Sequence, residues 1–172
     1  AENYSYGALN PGSTSITIDA MGAWSVENIP TWVNVSPASG SGDGRITITP
    51  QQNLETQSRS VTLYVTSSLN ASLRKPITLT QEAFRFDATT EHLSFGALEA
   101  QSRSVTIECM EGWSVTNNSD WVSVSPMSGS NDGSLTIRVS ENLQTSPRSA
   151  TVRISSTLNP ALVKNIEIAQ EA

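Results

Sequence analysis

Few side chains in this 172-residue sequence are of types that do chemistry, and their spacing decides what they can do. His92 is the single histidine and Cys109 the single cysteine. A nucleophile–histidine–acid system needs its imidazole beside an oriented hydroxyl or thiol, and no G-x-S-x-G or comparable context is present. His92 reads instead as a solvated loop or strand-edge residue. Hydrolysis of glycosides by paired carboxylates requires two acids facing each other across a cleft. The acids here are scattered, and the pairs Asp19/Glu108, Asp43/Asp132 and Glu82/Glu171 recur 89 residues apart, as scaffold features do. No catalytic residue is expected. Gly42-Asp43-Gly44 and Asn131-Asp132-Gly133 offer oxygen ligands but lack the alternating carboxylates of a calcium loop. An Asp-Gly hairpin turn that needs φ > 0 accounts for them without a metal. No metal and no cofactor are expected. A lone Cys109 allows no intrachain disulfide, and Ala20 at the equivalent position marks it as a small buried residue.

Those positions are equivalent because the chain repeats. Trp-Val-Asn-Val-Ser-Pro-Ala-Ser-Gly-Ser-Gly-Asp-Gly from Trp32 to Gly44 returns as Trp-Val-Ser-Val-Ser-Pro-Met-Ser-Gly-Ser-Asn-Asp-Gly from Trp121 to Gly133. The same offset carries Asn53-Leu54 onto Asn142-Leu143 and Gln81-Glu82-Ala83 onto Gln170-Glu171-Ala172. The alignment runs without a gap from Tyr4 to the C-terminus, with about half of its positions identical. Within each copy apolar and polar residues alternate, as in Ser15-Ile16-Thr17-Ile18, Val61-Thr62-Leu63-Tyr64-Val65 and Leu135-Thr136-Ile137-Arg138-Val139. A period of two builds half-buried strands. Turn residues punctuate them at Pro11-Gly12, Ser36-Pro37, Gly40–Gly44 and Asn70, and at their counterparts. No window holds a convincing amphipathic helix. The reading is all-β, two tandem immunoglobulin-like β-sandwich domains over residues 1–83 and 84–172. Gln81-Glu82-Ala83 runs straight into Phe84-Arg85-Phe86 without a Gly/Ser- or Pro-rich linker, so a restricted relative orientation is expected. The second copy has residues 84–92 ahead of its Leu93-Ser94-Phe95 strand, where the first has only Ala1–Asn3. The first domain is therefore expected to lack its opening strand, as in a piece of a longer polypeptide.

Strand parity now sorts the aromatic residues, the best candidates for stacking on sugar rings. Trp24 and Trp113 share parity with Val26 and Val115 and are expected in the core. Trp32 and Trp121 lie opposite in parity to Val33/Val35 and Val122/Val124, which places them on a more polar face or at one end of the sandwich. Tyr64 shares its parity with Thr62 and Thr66, outward if Val61, Leu63 and Val65 face the core, and the second copy has Arg153 in its place. Tyr64, Thr62, Thr66, Trp32 and Trp121 are the candidate ligand-binding residues. Arg59 and Arg148, in the repeated Arg-Ser-x-Thr, are expected to pair a nearby carboxylate or backbone carbonyl.

A net charge of −6 with only two lysines, Lys75 and Lys164, argues against nucleic acid or an anionic membrane surface as partner. No apolar run approaches the roughly 18 residues of a membrane span.

The run Trp…Trp-Val-x-Val-Ser-Pro-x-Ser-Gly-Ser-x-Asp-Gly…Asn…Arg-Ser-x-Thr…Gln, present twice, resembles the BACON domain, whose name stands for Bacteroidetes-associated, carbohydrate-binding, often N-terminal. The resemblance implies an immunoglobulin-like fold in a cell-surface or secreted protein, with further domains of the parent polypeptide as neighbours. It also implies a non-catalytic role in binding glycans or glycoproteins such as mucin, while other members of the family act only as rigid spacers.

Overall fold

The computed structural model describes residues 2–98 and 100–172, and every structural statement below concerns those residues. The chain is all-β. Two compact units divide between Phe84 and Arg85. Unit 1 contains eight strands: β1 (Glu2–Tyr6), β2 (Thr14–Ile18), β3 (Ala23–Glu27), β4 (Val33–Ser36), β5 (Ser39–Ser41), β6 (Gly44–Pro50), β7 (Arg59–Ser67) and β8 (Arg74–Gln81). Unit 2 contains nine: β9 (Phe86–Ala88), β10 (His92–Phe95), β11 (Gln101–Cys109), β12 (Gly112–Asn117), β13 (Val122–Ser125), β14 (Ser128–Ser130), β15 (Gly133–Val139), β16 (Arg148–Ser156) and β17 (Val163–Gln170).

Each unit is an immunoglobulin-like sandwich of two sheets. In unit 1 a five-stranded sheet in the order β1-β8-β7-β3-β5 accompanies a three-stranded sheet, β2-β6-β4. In unit 2 the sheets are β10-β17-β16-β12-β14 and β13-β15-β11-β9. β1 lies parallel to β8, and β10 parallel to β17, while the remaining pairs are antiparallel. The Ser-Pro-x-Ser segment carries the chain from one sheet to the other, and its Ser36–Pro37 and Ser125–Pro126 peptides are cis.

The alternation seen in the sequence is the alternation of burial. Ile46, Ile48, Leu63 and Leu79 are fully buried in unit 1, and Ile137, Ile154 and Ile166 in unit 2. Each such side chain contributes about 1.5–3 kcal/mol relative to leaving it in water. Trp24 and Trp113 lie in the core as their parity requires, 4% and 2% exposed. Their indole N–H groups donate to the carbonyl oxygens of Gly42 (2.9 Å) and Asn131 (3.1 Å). The six-membered part of each ring lies flat against Gly40 or Gly129, where any Cβ would collide with it. The repeated Ser-Gly-Ser of β5 and β14 is thus the partner surface of a core tryptophan.

The Gly-Asp-Gly and Asn-Asp-Gly turns depart from the sequence expectation. Positive φ falls one residue earlier than the Asp-Gly pair, at Gly42 (φ 69) and Asn131 (φ 57). The aspartates do a different job: Asp43 accepts the Ala20 N–H and Asp132 the Cys109 N–H, each at 3.0 Å. Each carboxylate ties the end of one strand to the turn ahead of its neighbour. Cys109 is buried, and burial pushes its thiol pKa up. His92 is exposed at the start of β10, an edge strand paired only with β17.

Candidate functional site

The five candidate ligand-binding residues separate into two groups that lie apart in the fold. Trp32 and Trp121 belong to an end of each sandwich. Trp32 immediately precedes β4 and is half-buried against the core. The guanidinium of Arg59, the first residue of β7, lies over its ring at 4.5 Å. Arg148 lies over Trp121 at 4.3 Å.

Arg59 is fixed by a set of hydrogen bonds as well as by the ring. Its Nε donates to the buried Gln81 (2.9 Å), and one terminal nitrogen donates to the carbonyls of Gln51 and Gln52. Gln81 in turn donates to the carbonyls of Gly7 and Gln51. Beside it Asn53, fully buried, donates to the carbonyls of Gln57 and Glu82 at 2.8 and 2.7 Å. Unit 2 repeats the arrangement with Arg148, Gln170 and Asn142, its Arg–Gln bond measuring 2.8 Å. Buried carbonyls at strand ends need donors, and these side chains supply them. Burial, opposed by Glu55, lowers the Arg59 pKa. A guanidinium on one ring face and core packing on the indole leave Trp32 little surface for a sugar. Of the carboxylate or carbonyl partners expected for Arg59, carbonyl oxygens are the ones it meets. The buried Gln and Asn were visible only as repeated letters.

The second group lies on the outward face of the five-stranded sheet of unit 1. Tyr64 in β7 is half-buried, flanked across the strands by Glu27 of β3 and Pro76 of β8. The guanidinium of the exposed Arg74 lies over the Tyr64 ring at 4.2 Å. Two residues along, Thr62 and Thr78 share a 3.2 Å hydroxyl contact. A ring, a guanidinium, a carboxylate and two hydroxyls thus share one sheet face. These groups match what a saccharide presents, namely C–H faces for rings and hydroxyls for charged and polar side chains. Thr66 requires a correction. It is only 7% exposed, and its Oγ1 has no hydrogen-bond partner, so its hydroxyl does not face a ligand. In unit 2 the Tyr64 position is Arg153, exposed and opposite Thr116 and Asn165.

Among the described residues no group of three or more His, Cys, Asp or Glu could hold a metal ion, and no helix is long and apolar enough to cross a membrane.

Comparison with known proteins adds a family. The model of the family BACON, described as "Putative binding domain, N-terminal", matches residues 22–82 and again residues 111–171. No curated protein matches the chain. Among solved structures, a GH5 xyloglucanase of Bacteroides ovatus in complex with a XXXG heptasaccharide is similar at 21% identity and a TM-score of 0.46. That match covers 52% of this chain and 19% of the enzyme, so the likeness spans only a small part of the enzyme's length. The D00-D0 domain of intimin is similar at 11% identity and a TM-score of 0.44, covering 100% of this chain and 96% of its own. A protein of unknown function from Porphyromonas gingivalis W83 is similar at 12% identity and a TM-score of 0.38, covering 96% and 93%.

Proposed function

Because the chain belongs to the BACON family in both of its halves, we propose that it is a non-catalytic module that binds carbohydrate or glycoprotein, mucin among them, within a larger secreted or cell-surface protein. The observation that carries this reading is the Tyr64–Arg74 pair on an outward sheet face, with Glu27, Thr62 and Thr78 beside it. The scaffold does not require this aromatic, since Arg153 occupies the equivalent position of a closely similar sandwich. An exposed cation–π contact stabilises by about 0.5–1 kcal/mol. A sugar that slides onto the ring or hydrogen-bonds the guanidinium therefore has only a small internal contact to replace.

A glycan array covering mucin O-glycans and plant polysaccharides, probed with the whole chain and with Tyr64→Ala, tests this. The expected result is a specific signal that the substitution abolishes. A signal that survives Tyr64→Ala moves the site elsewhere. Silence from folded protein favours a second reading, a rigid spacer that holds another domain away from the surface. The duplicated Arg–Gln–Asn network is what supports the spacer, because it gives both units the same stiff, fully hydrogen-bonded end.

A further inference from the structure

One cluster on the outward sheet face of unit 1 is replaced as a whole in unit 2. Tyr64, Glu27, Arg74 and Pro76 stand where unit 2 has Arg153, Thr116, Val163 and Asn165. Beside them on β3 and β7, Ser25, Ser60 and Thr62 return unchanged as Ser114, Ser149 and Thr151. The sandwich therefore folds without any member of the cluster, and the scaffold does not account for its chemistry.

The four side chains come from three adjacent strands. β7, in the middle, carries the ring of Tyr64. On one side β3 sets Glu27 directly opposite it, and on the other β8 sets Pro76 opposite it and Arg74 two residues away. Directly opposed residues have Cβ atoms about 4.5–5.5 Å apart, so all of these groups reach the ring. Glu27 and Arg74 are exposed, Tyr64 and Pro76 half-buried. Beyond the ring that Arg74 covers at 4.2 Å, neither the guanidinium nor the Glu27 carboxylate has a hydrogen-bond or ion-pair partner among the described residues. An apolar surface thus lies between an uncommitted donor and an uncommitted acceptor. A trans secondary amide complements such a surface, being planar with its C=O and N–H pointing in opposite directions. A carboxylate or sulfate would meet Arg74 but be repelled by Glu27, and an ammonium the reverse.

We propose that the Tyr64 face selects N-acetylated amino sugars by reading their acetamido group, an inference that rests on the reading of this face as a carbohydrate site. Arg74 donates to the acetamido carbonyl, and the acetamido N–H donates to the Glu27 carboxylate. The acetyl methyl packs on Tyr64 and Pro76. The carbonyl draws the guanidinium off the ring, and the methyl takes the place it leaves. Hydrogen bonds with one charged partner are about twice as strong as neutral ones, so the amide sets the preference and the ring hydroxyls do not.

The test titrates the whole chain with the methyl glycosides of N-acetylglucosamine, glucose, glucosamine and glucuronic acid, followed by backbone NMR. The N-acetyl probe should shift Glu27, Tyr64 and Arg74 and bind at least about tenfold more tightly than each of the others. Its acetyl methyl should receive the largest saturation transfer from the protein. Arg74→Ala and Glu27→Ala should each cut its preference over the glucoside to below about threefold. Both residues are exposed on a sheet face, where substitutions disturb stability little. Glu27→Lys should weaken the N-acetyl probe and make the glucuronide the tighter ligand. Equal affinities for the N-acetyl probe and the glucoside, both lost in Tyr64→Ala, overturn the inference and leave the carbohydrate site standing. No shift of this face by any probe, up to the limit of solubility, overturns both. N-acetylglycine N-methylamide supplies the same amide without the sugar. If it binds as tightly as the N-acetyl probe, the face takes peptide amides and the inference fails.

Discussion

In unit 2, β11 is flanked by β15 and by β9, whereas the described residues give its counterpart β2 in unit 1 only β6, the positions equivalent to β9 falling ahead of Ala1. At the opposite extreme, the Arg–Gln–Asn ends of the two units agree almost bond for bond. Sequences about half identical have therefore kept the part that terminates the strands. The reason is energetic. Buried strand-end carbonyls have no alternative to their side-chain donors, and an unpaired one costs about 1–3 kcal/mol. Repetition alone consequently marks structural residues, and departures from repetition mark where the units can differ in function.

The largest test of this contrast is to strip the edge of unit 2. Phe86→Ala removes a buried aromatic side chain and should destabilise unit 2 by about 3–5 kcal/mol in urea denaturation. Unit 1 should be unaffected. A loss under about 1 kcal/mol would mean that β9 contributes little to the stability of unit 2.

A smaller effect of opposite sign comes from Thr66. Its buried hydroxyl lacks a partner, so Thr66→Val, nearly the same shape, should stabilise unit 1 by about 1 kcal/mol. The counterpart Ser155 is half-buried, and Ser155→Val should fall within about 0.5 kcal/mol of no change. Equal responses would show that the two positions are not differently covered after all.

Thr66 also shows where sequence reading stops. Period-two alternation identified the strands, the core tryptophans and the outward face that carries Tyr64, because strand geometry alone dictates side-chain direction. It could not reveal that an outward threonine is covered, since cover comes from neighbouring strands and not from the residue's own parity. Gln81, Gln170, Asn53 and Asn142 were legible as repeated positions but not as buried donors, because their acceptors are carbonyls distant in sequence. The turn expectation erred by one residue because Asp43 and Asp132 were credited with a backbone role, when their carboxylates bind an N–H of another strand.

Acid provides a subtler comparison. The Lys164 ammonium, with help from the Ala88 N–H, holds Asp87 below the usual aspartate pKa. A carboxyl lowered in the folded state stabilises the fold above its unfolded pKa, and that contribution disappears as pH falls through the lower folded value. Lys164→Ala should therefore cost unit 2 less than about 1 kcal/mol at neutral pH, because the pair is largely exposed, and nothing once Asp87 is protonated. In unit 1 Lys75 lowers Glu2 in the same way, so Lys75→Ala should act on β1 and not on a β9-like strand. Carbon-detected NMR titration of the two carboxyls checks both, and a normal Asp87 midpoint in the unaltered chain would remove the ion pair from the account of β9.

The smallest expected change in stability concerns the sheet face that distinguishes unit 1 from unit 2. Tyr64 is flanked by Glu27 and Pro76 and covered by Arg74, while Arg153 has Thr116 and Asn165 beside it and Val163 where Arg74 would be. Arg153→Tyr alone supplies a ring without its guanidinium or carboxylate neighbours. All three positions lie on a solvent-facing sheet surface, so even the triple exchange Arg153→Tyr, Val163→Arg, Thr116→Glu should shift unit 2 by no more than about 0.5 kcal/mol. Its effect should be read in stoichiometry. If the Tyr64 face binds the glycan found on the array, the single exchange leaves one ligand per chain and the triple exchange gives two. A triple variant that folds and still binds one would show that the face needs something unit 1 alone provides. A wild-type stoichiometry of two from the outset would place the binding site on the features the units share, and not on Tyr64.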